Sequence, residues 1–141
     1  MQIAKLGVIG AGMMGAEIAL VFAMAGKSVM LNDTAQERLD EALKKLSAVL
    51  DTGISRKFWT EEEKLATLAN ISPTTNLQDF SDRQMVIEAV FEDAEVKGQV
   101  FKKIDKILDP NCIVASNTSS ISITVLSANV SESRQKNFVG L

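Results

Sequence analysis

The chain has 141 residues, 46% of them apolar and 23% charged, and a net charge of −3. This is the size and composition of one globular domain with a single core, and the charge argues against a nucleic-acid partner. One cysteine, no histidine and no tyrosine leave no intramolecular disulfide, no cysteine-rich metal site, and no imidazole base or phenol acid within these residues.

The first residues, MQIAKLGVIG, lack the pattern of a signal peptide, and the longest apolar stretch, 18–26, is too short to cross a bilayer. A cytoplasmic protein with no membrane partner is expected. LGVIG (6–10) reads as a strand that stops at glycine, followed by a buried helix over 16–25 and a glycine cap at Gly26. SVMLND (28–33) is the next strand. Thr34 and Glu37 have the spacing of a capping box, and Leu39, Ala42, Leu43, Leu46, Val49 and Leu50 recur on one helical face until Gly53.

A second box, Thr60 with Glu63, opens another helix whose first turn is acidic, and Trp59 before it is placed as a hydrophobic staple. Residues 71–75 form a short strand and QMVIEAVF (84–91) a longer one. A helix over 93–108 turns Val96, Val100, Phe101, Ile104, Ile107 and Leu108 inward and stops at Asp109-Pro110-Asn111. CIVAS (112–116), a helical or irregular segment near 121–130, and the strand NFVGL complete the chain. Met24, Met30 and Met85 read as core, and Cys112 as a small buried apolar residue. Strands alternating with helices at this rhythm predict an α/β fold of Rossmann type, a doubly wound parallel sheet of about six strands with helices on both faces.

GAGMMG (10–15) matches GxGxxG between a predicted strand and helix, and Asp33 stands at the end of the second strand, 21 residues after Gly12. In this setting Gly10 permits the tight turn, Gly12 the approach of a pyrophosphate, and Gly15 the packing of helix on strand. Ala11, Met13 and Met14 complete the loop and line the cofactor pocket. Asp33 would accept from the adenosine ribose and repel the extra phosphate of NADP, which makes NAD the expected cofactor. Its alternative role as a helix cap falls more naturally to Thr34.

From GVIGAGMMG through VIEAVFEDAEVK (86–97) and ASNTSSISI (115–123) to NFVGL, the chain resembles the NAD-binding domain of the L-3-hydroxyacyl-CoA dehydrogenases, including the 3-hydroxybutyryl-CoA dehydrogenases. The second and third segments are the specific ones, because many dinucleotide-binding families share the glycine loop. The resemblance implies that Ala89, Val90 and Phe91 lie along the cofactor, and that Glu92 and Lys97 stand at the cofactor and substrate cleft. It further places Asn117 near the nicotinamide and the reacting carbon, and Ser119 on the substrate's 3-hydroxyl or keto oxygen. The residues alone leave open an exposed Glu92–Lys97 ion pair at a helix start, and a plain helix N-cap for Asn117 or Ser119.

In the family the strand matching NFVGL leads to a segment of type HFFNP, whose histidine is the catalytic base, and then to a helical domain that forms the rest of the cleft and the dimer contact. The resemblance therefore implies that residues 1–141 are the NAD-binding domain of a longer, homodimeric enzyme acting on acyl-CoA. Arg56, Lys57, Lys44 and Lys45 could meet coenzyme A phosphates, with a solvated helix face as the simpler reading. Two other functions fit the same motifs: a dehydrogenase of free 3-hydroxy acids, and a stand-alone NAD-binding module without catalysis.

Overall fold

A computed structural model describes residues 2–141. The strands are β1 (Lys5–Ile9), β2 (Ser28–Asn32), β3 (Ile71–Thr74), β4 (Met85–Glu88), β5 (Ile113–Ser116) and β6 (Phe138–Gly140). The helices are α1 (Met13–Met24), α2 (Gln36–Ser55), α3 (Glu61–Ala69), α4 (Ala94–Asp105), α5 (Ile123–Ser127) and α6 (Glu132–Gln135), with a 3-10 turn at Leu77–Asp82. All strands are parallel in one sheet of order β3-β2-β1-β4-β5-β6, the Rossmann arrangement. The order reverses between β1 and β4, so the loops that follow these two strands diverge and leave a crevice at the carboxyl edge.

Alternation along the strands divides the core. Val8 and Leu31 pack beneath α1 and α2 with Leu39, Leu46 and Leu50, while Ile9, Val86 and Val114 turn to the other face with Phe80, Phe101, Ile104 and Phe138. There the rings of Phe101 and Phe138 meet edge to face at 4.8 Å, and Phe80 lies over Gly7, where a Cβ would come within 2.7 Å of its ring. Pro73 is tolerated in β3 because that strand is the sheet edge.

Several local expectations are corrected. The box at Thr34–Glu37 does not form: α2 starts one residue later, with Ala35 as its N-cap and no side chain capping it, and the Thr34 hydroxyl donates to Asp33 Oδ1 at 3.4 Å instead of accepting the Glu37 N–H. Gly53 lies inside α2 and serves the packing of Trp59, whose indole a Cβ at that position would meet at 2.0 Å. Trp59 is no staple over α3, because the N4 position there is Lys64; its indole turns to α2, where Nε1–H donates to the Leu50 carbonyl at 2.7 Å. The Thr60–Glu63 box is present in full. Helix α1 starts earlier than predicted, at Met13, and β4 stops at Glu88, leaving residues 89–91 irregular. Met24, Val49 and Val96 are exposed rather than core, since each falls just outside the narrow stripe that its helix buries. No helix among the described residues is long and apolar enough to cross a membrane.

Candidate functional site

The crevice at the switch point is a cleft of about 510 Å3 lined by Gly10, Gly12, Met13, Met14, Asp33 and Ala89–Phe91, among others. Its floor is the glycine loop. Gly10 has φ 105°, in the left-handed region, and a Cβ there would come within 2.5 Å of the Ala89 carbonyl oxygen. At Gly15 a Cβ would sit 1.7 Å from the Gly10 carbonyl oxygen, so this glycine is what lets α1 rest against β1. Gly12 differs: a Cβ would meet nothing within 4 Å and would project into open space before the first turn of α1. No side chain caps that turn. An uncapped helix N-terminus with open space before it fits a diphosphate, which the backbone N–H groups and the positive end of the helix dipole would hold.

Asp33 follows β2 and is only 8% exposed. Its Oδ2 accepts the Ala11 N–H at 3.0 Å, and Oδ1 accepts the Ala35 N–H at 3.3 Å and the Thr34 hydroxyl at 3.4 Å. The carboxylate thus ties the glycine loop to the start of α2. An ionised carboxylate has about four acceptor sites, so Oδ2 keeps capacity for one ribose hydroxyl. Arg38 adds a guanidinium 3.7 Å from Oδ1 and lines the same cleft. Ala11 is buried behind the loop rather than in the cleft, whereas Met13 and Phe91 stand out at its rim, 82% and 78% exposed.

The segment that follows β4 enters the cleft through Ala89–Phe91, whereas Glu92, Asn117 and Ser119 do not line it and are tied to one another outside it. Glu92 is the hub. It accepts from the Thr118 hydroxyl at 2.9 Å, from the Ser119 N–H at 2.9 Å and hydroxyl at 3.3 Å, and from the Ser120 N–H and hydroxyl at 3.3 Å. The Ser119 N–H foremost, with Thr118 and Lys97 outweighing the desolvation that opposes them, holds this carboxyl down at about 2. Asn117 is fastened through its main chain, its N–H donating to the Glu88 carbonyl at 2.8 Å and its carbonyl accepting from Lys97 at 3.1 Å. Neither Asn117 nor Ser119 is a helix N-cap; Ser122 caps α5.

Lys97 is fully buried and does not line the cleft, so the exposed ion pair is ruled out. Its Nζ lies 3.3 Å from Glu92 but only 2.6 Å from Glu88, which is itself fully buried and accepts the Ser116 hydroxyl at 2.6 Å and the Val90 N–H at 2.8 Å. Sequence reasoning passed over Glu88 and Ser116. The available signal was a carboxylate inside the apolar run MVIEAVF, which burial permits only when a counter-charge is close. Arg38 was missed as well, one helical turn beyond Asp33.

Residues 5–141 match the family described as 3-hydroxyacyl-CoA dehydrogenase, NAD binding domain. A 3-hydroxybutyryl-CoA dehydrogenase of Bradyrhizobium diazoefficiens is 43% identical over 99% of this chain and 47% of its own. The fatty acid oxidation complex subunit alpha of a Psychrobacter species is 42% identical over 99% of this chain and 19% of its own. Among solved structures, (S)-3-hydroxybutyryl-CoA dehydrogenase from Ralstonia eutropha superposes with a TM-score of 0.95 at 37% identity, over 99% of this chain and 48% of that one. The chain therefore spans about half the length, or less, of these relatives. With the glycine loop, Asp33 and the β4 and β5 segments assembled on a sheet of this order, the chain belongs to the family of NAD-binding domains of 3-hydroxyacyl-CoA dehydrogenases.

Proposed function

We propose that this chain is the cofactor-binding part of a longer enzyme that interconverts L-3-hydroxyacyl-CoA and 3-ketoacyl-CoA with NAD. The observation that carries this reading is the crevice at the switch point, where the glycine loop, Asp33 and residues 89–91 meet, with the Glu92 carboxylate tying Ser119 to the segment that follows β4. NAD, when bound, accepts or supplies the hydride at its nicotinamide. The protein's part is to bind, orient and hold. The α1 N-terminus and Gly12 receive the diphosphate, Asp33 takes the adenosine ribose and disfavours a 2′-phosphate, and residues 89–91 form the wall beside the cofactor. Asn117 and Ser119 stand at the reacting end, Ser119 donating to or accepting from the oxygen on carbon 3, and Glu92 orients both Ser119 and the neighbouring ribose hydroxyls.

The proton on that oxygen needs a base with a pKa near neutrality, and the 141 residues contain no histidine. We assign it to a histidine beyond Leu141, followed by a helical domain that completes the acyl-CoA cleft and joins two protomers, in the cytoplasm. The test is NADH oxidation dependent on acetoacetyl-CoA, measured on the longer protein and on residues 1–141. Turnover by the longer protein alone is expected, with weak NAD binding by the shorter. Activity toward free 3-hydroxy acids but not thioesters would replace this reading, and a stop codon directly after Leu141 would reduce the protein to an NAD-binding module.

A further inference from the structure

We infer that the buried Glu88–Lys97 pair is a positioning device for the reacting end of the cleft, with Glu88 as the residue that holds Lys97 in place. The inference rests on the reading above for Asn117 and Ser119. Glu88 ends β4 directly opposite Ser116 at the end of β5, and Lys97 enters from the first turns of α4. Both charged side chains are fully buried. The Lys97 ammonium is shared among the Glu88 carboxylate at 2.6 Å, the Asn117 carbonyl at 3.1 Å, Glu92 at 3.3 Å and the Val90 carbonyl at 3.5 Å. Glu88 closes the arrangement from below through the Ser116 hydroxyl and the Val90 N–H.

One ammonium therefore joins the irregular segment after β4 to the irregular segment after β5. Main-chain bonds fix only the first residue of each segment, from the Ala89 N–H to the Ile9 carbonyl and from the Asn117 N–H to the Glu88 carbonyl, both 2.8 Å, and the side-chain bonds join the two segments beyond them. Through Glu92 the same ammonium reaches the N–H groups of Ser119 and Ser120, which Glu92 grips. A buried pair kept only for stability is replaceable by neutral side chains of similar volume. A pair kept for position is not, because a neutral replacement cannot attract Glu92 and the Asn117 carbonyl at once.

The discriminating variant is the double substitution Glu88→Gln with Lys97→Met. The amide introduced at position 88 keeps an acceptor for the Val90 N–H and a partner for Ser116, and the thioether introduced at position 97 fills the space of the lysine stem, so no unpaired charge remains between them. On residues 1–141 the thermal midpoint should stay near that of the parent, while amide hydrogen exchange at Ser119 and Ser120 accelerates about tenfold or more and Gly10 is unchanged. In the longer protein kcat should fall by about tenfold or more, with KM for NADH moving by less than about threefold, as expected when a reacting group is misplaced but cofactor affinity is kept.

Unchanged exchange at both serines, or retained kcat, overturns the inference. Should the double variant fail to fold, Glu88→Asp applies the test with both charges kept, since the carboxylate one methylene shorter draws the Lys97 ammonium away from Glu92 and Asn117 and the serine amides should loosen in the same way. If the parent protein shows no turnover of acetoacetyl-CoA while the variant loosens the serine amides, the proposed reaction falls and the positioning device stands. Normal parent turnover with immobile amides in the variant has the opposite meaning.

Discussion

Replacing Gly12 and Gly15 separately by alanine should divide cofactor binding from folding within a single loop. At Gly12 the backbone has φ −71° and ψ −174°, which alanine adopts freely, and the new methyl meets no atom within 4 Å. Loss of a glycine at a helix N-cap costs about 0.5 kcal/mol, and the lowered entropy of the unfolded chain returns a similar amount, so the net change is near zero. The methyl nevertheless occupies the space where a diphosphate must approach the first turn of α1. An NAD affinity at least about tenfold weaker, or about 1.4 kcal/mol, is expected.

At Gly15 the methyl would lie 1.7 Å from the Gly10 carbonyl oxygen, a backbone atom with no rotamer to yield. The turn between β1 and α1 must open, a cost of about 3 kcal/mol at the upper end of overpacking. For a domain of this size that lowers the thermal midpoint by roughly 10 °C. Calorimetric NAD titration paired with thermal unfolding reads both quantities. Gly12→Ala binding NAD within about twofold of the parent would refute the assignment of this loop to a diphosphate, and Gly15→Ala melting with the parent would refute the close packing of α1 on β1.

Glu92 should titrate near 2 instead of its ordinary 4.5, because the Ser119 N–H foremost, with Thr118 and Lys97, favours its ionised form. Its stabilising effect is therefore complete above pH 4.5 and is lost as the pH falls through about 2. A 13C titration of its carboxyl with a midpoint at 4.5 would show the grip on residues 118–120 to be absent. Burial pushes the Cys112 thiol up to about 11, so at pH 8 iodoacetamide should label it only after the chain is unfolded in urea, and rapid native labelling would place it at the surface. Gly53→Ala gains about 1 kcal/mol of helix propensity in α2 but drives a methyl into the Trp59 indole and strains its bond to Leu50. A net loss of stability and a red shift of the single tryptophan's emission are expected; unchanged emission would mean that Trp59 does not lie on Gly53.

By itself the sequence determined the order of the elements, the parallel sheet and the NAD-binding family, because these rest on local patterns: apolar strands stopping at glycine, helical stripes, and a GxGxxG motif in register with Asp33. It erred where one residue fits two local roles. Thr34 has the spacing of a cap, yet its hydroxyl donates to Asp33 and α2 starts one residue later. Gly53 looks like a helix stop, yet its lack of a side chain serves Trp59.

The tertiary structure alone decided which charges meet. Glu92 and Lys97 are close in sequence and look like a surface pair, but α4, packed on β4 and β5 through Phe101 and Ile104, sinks Lys97 to full burial. Once out of water its ammonium must satisfy itself among whatever acceptors the sheet presents, and those are Glu88, Val90 and Asn117 as well as Glu92. Periodicity tells which face a residue occupies, not which strand end lies opposite. That depends on strand order, and with it the partnership that joins Glu88 to Ser116.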